Sequence, residues 1–223
     1  ARAIRTVDTG RAPRLFLSRR TLEKAKEMIQ NVWAVGRNYS DHAKELGNTV
    51  PENPLIFLKA GSTVTLKDEF SLPTHSDDVH HELEIALRFG PDLEFDAAHL
   101  ALDLTARDLQ NKLKAAGQPW TLAKSFKESC PLSKPMPLPP AIPHFEFELK
   151  VNGEIRQRGN TRDMVFDFET LRRYVLERFP VCHGDILLTG TPAGVARLGR
   201  GDKILATAKS VAGHELRAMW RVR

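Results

Sequence analysis

Apolar and polar residues alternate in short runs along most of this 223-residue chain, and a helical period appears in only a few places. From Val79 to Phe89 eleven residues alternate. His81, Leu83, Ile85 and Leu87 fall on one face of the predicted strand, and His80, Glu82, Glu84, Ala86 and Arg88 on the other. Phe145–Val151 alternates strictly and runs into Asn152-Gly153. That dipeptide suits a type I′ turn, which needs positive φ at both positions, so a hairpin is predicted. Val32–Val35, Leu55–Lys59, Leu100–Leu104 and the glycine-punctuated runs GDILLTGTPAG and GDKILATA add further short strands. Helices are predicted over 21–30, over the short run DHAKEL (41–46), from Thr105 to Gly117, and over 168–179. Ser40-Asp41 offers an N-cap and Gly47 a stop for the short one. Asp108, three residues after Thr105, forms a capping-box variant, with Ala106, Leu109, Leu113 and Ala116 as the apolar face. Strands dominate and helices interrupt them irregularly, so the predicted class is α+β with a curled or barrel-like sheet.

Composition adds little to the fold but narrows the partners. Hydrophobic residues are 41% and charged residues 27%, an ordinary globular balance for one large domain. We divide the chain into a basic N-terminal segment (1–31) and a single catalytic domain (32–223). The formal charge of +5 comes from 33 basic and 28 acidic residues. The first thirty residues hold eight basic and three acidic ones, which accounts for the whole excess, and the body balances. A nucleic-acid partner is therefore not expected, although an Arg-rich leader faintly resembles an organellar transit peptide. No apolar run approaches the roughly 18–20 residues of a membrane helix, so no membrane partner is expected either. Cys130 and Cys182 stand far apart without a CxxC, which excludes a disulfide framework and points to a reducing compartment. The expected location is the cytoplasm, with the mitochondrial matrix as the alternative.

Several common chemistries fail on pattern. There is no GxxxxGK[ST], no GxGxxG and no GxSxG. His81-Glu82 opens like a zinc-protease HExxH, but Ile85 stands where the second His is needed. What remains is a set of acids and cations in unusual settings. Glu82 and Glu84 share one strand face, roughly 6.5–7 Å apart, and repel unless a cation lies between them. Taken alone, they equally describe a solvated strand. Asp103 is the lone acid in an apolar run, where an unpaired carboxylate is costly. Three such carboxylates, if they converge, make a hard oxygen site suited to Mg²⁺ or Mn²⁺. Lys124 lies among small and apolar neighbours and is suited to stabilising an enolate or binding a carboxylate. His42 and Glu45, spaced i, i+3 on the short helix, can hold and deprotonate a water. Arg37 and Lys59 are candidates for an anionic substrate, and Gly190-Thr191-Pro192 offers backbone N–H groups and a hydroxyl for it.

Taken in order, these segments resemble the fumarylacetoacetate hydrolase family. The residues are Val35-Gly36-Arg37-Asn38-Tyr39 with Asp41-His42, Phe57-Leu58-Lys59, and His80-His81-Glu82-Leu83-Glu84. They continue through Leu102 to Gln110, Pro119 to Phe126, Val151-Asn152-Gly153-Glu154, and Leu188 to Val195. The match is most similar to the small one-domain acylpyruvases that also decarboxylate oxaloacetate. The resemblance implies a mixed β-roll or barrel-like sheet, a homodimer, and one Mg²⁺ or Mn²⁺ held by Glu82, Glu84 and Asp103. It implies that Lys124 stands beside the metal and that His42 and Glu45 act from a lid helix. Arg107, Gln110 and Thr191 match positions that line a substrate site, and Arg37 and Lys59 lie in matching segments.

The activity it implies is C–C cleavage of 2,4-dioxo or 2-oxo acids through a stabilised pyruvate enolate, as acylpyruvate hydrolase and oxaloacetate decarboxylase. The alternatives are an isomerase or hydratase of 2-hydroxy-dienoate diacids from aromatic breakdown, and a catalytically silent member. Two departures stand out. Ala60-Gly61-Ser62 replaces the usual Pro-Ser after Lys59, and the stretch from Gly90 to Leu100 is short.

Overall fold

Strict alternation in Phe145–Val151, Lys203–Ser210 and Glu215–Val222 buries every second residue, so these strands cover the core with one face only. They form the middle of a five-stranded sheet, closed on its edges by Glu154–Asn160 and Glu69–Phe70. The computed structural model describes residues 29–40 and 51–223. The predicted helix over 21–30 lies almost wholly outside the described residues, and so does the short helix over 41–46 that carries His42 and Glu45.

A second sheet of six strands is buried on both faces through its four central strands. Its order is Met136–Pro137, Phe95–Leu102, Leu83–Phe89, Ile186–Leu188, Asn31–Gly36 and Leu55–Ala60. All its neighbours pair antiparallel except Ile186–Leu188 with Asn31–Gly36, which is parallel. Leu83, Ile85 and Leu87 join the main core with Phe145, Leu149 and Trp220. Ala86 turns the other way, into a smaller cluster with Val32, Ala34, Ile186 and Leu188. Two short sheets, one of Ala196–Arg197, Val79–His81 and Thr105–Ala106 and one of Val64–Thr65 with Cys130–Pro131, complete the mixed α+β architecture. The sheets are open at their edges, and none of them closes into a barrel.

The structure corrects three local expectations. The eleven-residue strand is divided at Glu82, with Val79–His81 in the small sheet and Leu83–Phe89 in the large one. The side chain of Gln157 takes the Leu83 N–H at 3.0 Å, and the Glu82 carbonyl accepts from the Asp103 N–H at 2.9 Å. These bonds replace ladder pairing at the pivot, and both faces of the second piece are buried rather than one being solvated. The Leu100–Leu104 strand instead runs from Phe95 to Leu102, which leaves Asp103 just beyond its end. The helix after it begins at Arg107, not Thr105. The Thr105 hydroxyl donates to the Asp103 carbonyl at 3.0 Å, and Asp108 accepts from Ser76 at 2.5 Å, so neither forms the capping box.

Other expectations hold. Asn152 and Gly153 both have positive φ, 53° and 89°, and Val151 faces Glu154 across the turn. The later helix is Phe168–Arg178, capped by the Asp167 carboxylate accepting from the Thr170 N–H at 2.8 Å. The short stretch after Gly90 closes as a tight turn, with the Gly90 N–H donating to the Glu94 carbonyl, and joins two strands directly. Gly61–Thr63, at the other departure, forms a single 3₁₀ turn. Both cysteines are free, and Cys130 is buried. No helix among the described residues is long and apolar enough to cross a membrane.

The parallel pair at the centre is anchored by a buried carboxylate. Asp185 accepts from the Asn31 N–H at 2.9 Å, and at 3.0 Å from Asn31 Nδ2, Trp33 Nε1 and the Cys182 N–H. Its removal strands several donors, each worth about 1–3 kcal/mol. Asp185→Ala is therefore expected to lower unfolding free energy by about 3 kcal/mol in urea titration, and Asp185→Asn by less. A change under about 0.5 kcal/mol, the scale of an ordinary surface substitution, would contradict this account of the anchor.

Candidate active site

The strand pivot and the strand end described above bring three acids together. Leu83 pairs with Leu102, so Glu82 and Asp103, one residue beyond each partner, meet at the same edge. Glu84 follows two residues later on the same face. The three side chains offer oxygens that all lie within 4.8 Å of one another, and all three are buried. Unscreened carboxylates at that spacing repel strongly, so the fold must supply positive charge.

It does so from three elements. The four-residue helix Thr121–Lys124 carries Lys124, whose Nζ lies 2.8 Å from Glu82, 2.5 Å from Asp103 and 2.6 Å from the Thr105 hydroxyl. The strand Leu55–Ala60 carries Lys59, whose Nζ donates to the other Asp103 oxygen at 2.7 Å and also meets the Leu104 and Lys124 carbonyls. The helix Arg107–Ala115 carries Arg107, which ion-pairs with Glu82 and donates to Gln110 at 2.6 Å. Glu84 is different. Among the described residues its hydrogen-bond partner is the Gly190 N–H, at 2.6 Å. Gly190 has φ of +98°, and a Cβ there would stand 2.7 Å from that of Asn38, so the close approach needs glycine.

The electrostatics follow from this division. Burial, then the charges of Asp103 and Glu82, push the Glu84 carboxyl well above its ordinary range. Burial works against the charged form of Lys124, but Asp103 and Glu82 outweigh it and hold the ammonium above its usual value. Burial, reinforced by Glu84, likewise raises the phenol of Tyr39. Hard oxygen donors with one carboxylate short of a cation fit Mg²⁺ or Mn²⁺.

Around the acids lies a polar cleft. Arg37, Arg107, Gln110, Lys124 and Thr191, all singled out from the sequence, line it with the three carboxylates. Lys59 does not line it; it is fully buried behind Asp103. His42 and Glu45 lie outside the described residues. Five further residues line the cleft: Val35, Gly36, Phe57, Trp120 and Lys114. Lys114 had a signal in the sequence, since it falls four residues after Gln110 and seven after Arg107 on one helix. Gln157 had none. This buried side chain joins His81, the Leu83 N–H, the Thr191 hydroxyl and the Pro192 carbonyl, and so ties the pivot to the Gly190 loop. A roomier hollow of about 690 Å³ lies elsewhere, on the five-stranded sheet, and holds none of these groups.

Comparison with known proteins gives the family. Residues 31–217 match the family described as fumarylacetoacetate (FAA) hydrolase C-terminal. The chain is 40% identical over 208 residues to an Escherichia coli protein named oxaloacetate tautomerase, covering 84% of this chain and 91% of that one. It is 38% identical over 197 residues to a mitochondrial oxaloacetate decarboxylase of Dictyostelium discoideum, covering 82% and 90%. Among solved structures, a fumarylpyruvate hydrolase from Pseudomonas aeruginosa in complex with Mn²⁺ and pyruvate superposes with a TM-score of 0.78. It shares 28% identity, and the match covers 87% of this chain and 89% of that one.

Breaking a buried ion cluster by removing one partner costs about 3–5 kcal/mol, because the remaining charges stay uncompensated. Lys124→Met is expected to lose stability of that order in urea titration with chelator present. A loss below about 1 kcal/mol would show that Lys124 does not balance the cluster.

Proposed function

Since the chain belongs to the fumarylacetoacetate hydrolase family, we propose that it is a divalent-metal-dependent enzyme of small 2-oxo acids. Its reactions are oxaloacetate decarboxylation and acylpyruvate hydrolysis, which share a pyruvate enolate. The observation that carries this reading is the convergence of Glu82, Glu84 and Asp103 with Lys124 and Arg107 at one cleft. Relatives named for oxaloacetate chemistry, and a solved neighbour in complex with Mn²⁺ and pyruvate, support it.

Mg²⁺ or Mn²⁺ held by the three carboxylates supplies Lewis acidity toward a 2-oxo acid. The remaining tasks fall to the chain itself. Arg107 and Gln110 present fixed donors to a substrate carboxylate, already oriented by their mutual hydrogen bond. The Lys124 ammonium places positive charge where the enolate oxygen develops, which lowers the energy of the charged intermediate more than that of the substrate. Phe57 and Trp120 give the cleft an apolar wall that limits water.

In an acylpyruvate, His42 and Glu45 take a proton from water as its oxygen attacks the distal carbonyl. The C–C bond breaks, its electron pair remains with the pyruvate fragment, and the acyl group leaves as a carboxylic acid. In oxaloacetate, CO₂ leaves instead and the pair remains on C3. Protonation of that carbon yields pyruvate in both cases. Proton exchange at C3 of oxaloacetate passes through an enolate of the same kind, and the tautomerase name of the Escherichia coli relative favours it as a further reaction.

The test is steady-state turnover of acetylpyruvate, oxaloacetate and a hydroxymuconate-type diacid, first with added Mg²⁺ and then with chelator. Turnover of the first two is expected with the metal and is lost without it; activity that survives complete metal removal refutes the reading. His42→Ala and Glu45→Ala are each expected to reduce acetylpyruvate hydrolysis by about 10²–10⁴-fold while leaving the melting temperature unchanged. Undiminished hydrolysis in either variant would remove that residue from water activation.

A further inference from the structure

The cations that line the cleft fall into two settings, paired with acids and not. Four cationic side chains line it, Arg37, Arg107, Lys114 and Lys124. Lys124 and Arg107 are engaged by Glu82 and Asp103. Lys114 and Arg37 have no carboxylate partner among the described residues, and the Arg37 Nε is buried without an acceptor. Lys114 is half-buried on the face of its helix that also carries Arg107 and Gln110. Its ammonium lies 5.1 Å from the centre of the Trp120 ring, which holds it in place without neutralising it. Lys124 lies 4.9 Å from the centre of the Phe57 ring, and the two rings are themselves in contact at 5.7 Å. An aromatic pair therefore carries one ammonium against each ring. Burial and the nearby charges of Arg107, Arg37 and Lys124 lower the Lys114 pKa to about 8, which marks a cation surrounded by cations.

We propose that Lys114, with Arg37, binds the distal carboxylate of a short dicarboxylic substrate and so sets a preference for diacids over monoacids of the same head group. This inference rests on the 2-oxo acid reading above and extends it to substrate class. A 2-oxo diacid places one carboxylate by Arg107 and Gln110 and the other by Lys114. An acylpyruvate with an uncharged tail fills only the first station.

Unreactive probes separate this assignment from the activity. Lactate and malate share a 2-hydroxy acid head, and malate adds a distal carboxylate. Calorimetry on the full chain with Mg²⁺ is expected to show malate binding about tenfold or more tighter than lactate, the scale of one charge-assisted hydrogen bond. Lys114→Gln is expected to collapse that preference, and Lys114→Arg to keep most of it. The ratio of kcat/KM for oxaloacetate over acetylpyruvate should fall in parallel in Lys114→Gln. Equal binding of both probes by the unaltered chain, or a preference retained in Lys114→Gln, overturns the assignment. If the malate preference depends on Lys114 but no 2-oxo acid is turned over, the activity reading fails and the assignment stands. If oxaloacetate is turned over and the preference survives Lys114→Gln, the assignment alone falls.

Discussion

Three carboxylates buried within 4.8 Å of one another are the constraint around which the rest of this molecule is arranged. Nothing in a folding chain favours that placement by itself, since each acid loses hydration and each repels the other two. The fold compensates from several directions. Lys59 approaches Asp103 from behind, Lys124 bridges Asp103 and Glu82, and Arg107 closes on Glu82. Glu84 receives a backbone N–H from a loop that only glycine can bring so near. Each of these groups comes from a different stretch of chain. The six-stranded sheet, the two short helices and the Gly190 loop are thereby held in mutual register by the acids they surround.

The same constraint explains where the strands break. A continuous strand from Val79 to Phe89 would extend the ladder past Glu82. Instead the chain pivots there, with Gln157 accepting from the Leu83 N–H and Asp103 donating to the Glu82 carbonyl. The pivot opens the sheet edge at the point where Glu82 and Asp103 must meet. Asp185 performs a related task at the other side of the sheet, by fixing how the parallel pair Asn31–Gly36 and Ile186–Leu188 begins.

Much of this was legible in the sequence, and the gaps have physical causes. The three acids stood out because two share a strand face and the third sits alone in an apolar run. The Asn152-Gly153 hairpin and the helix over 168–178 follow from local chemistry, which a sequence carries directly. Burial of polar groups by long-range partners is different. In the 107–115 helix Leu109 and Leu113 do pack against the main core, half-buried, as the apolar period predicts, but the buried positions are Arg107 and Gln110, whose face meets the acids. Lys59 read as a substrate ligand, although it lies behind Asp103, since a strand period cannot show which side of a carboxylate a lysine approaches. Gln157 lies among charged neighbours on an edge strand, and only the tertiary structure brings it to His81 and Thr191.

Glu84, which no cation pairs among the described residues, is the acid at which the proposed divalent metal would add positive charge. The most direct measurement is diffraction from crystals grown with Mn²⁺, read through its anomalous signal. A single strong peak coordinated by oxygens of Glu82, Glu84 and Asp103, with Lys124 beside it, is the predicted result. Saturating Mn²⁺ with no peak at this cluster, and Lys124 still bridging Glu82 and Asp103, would contradict the account.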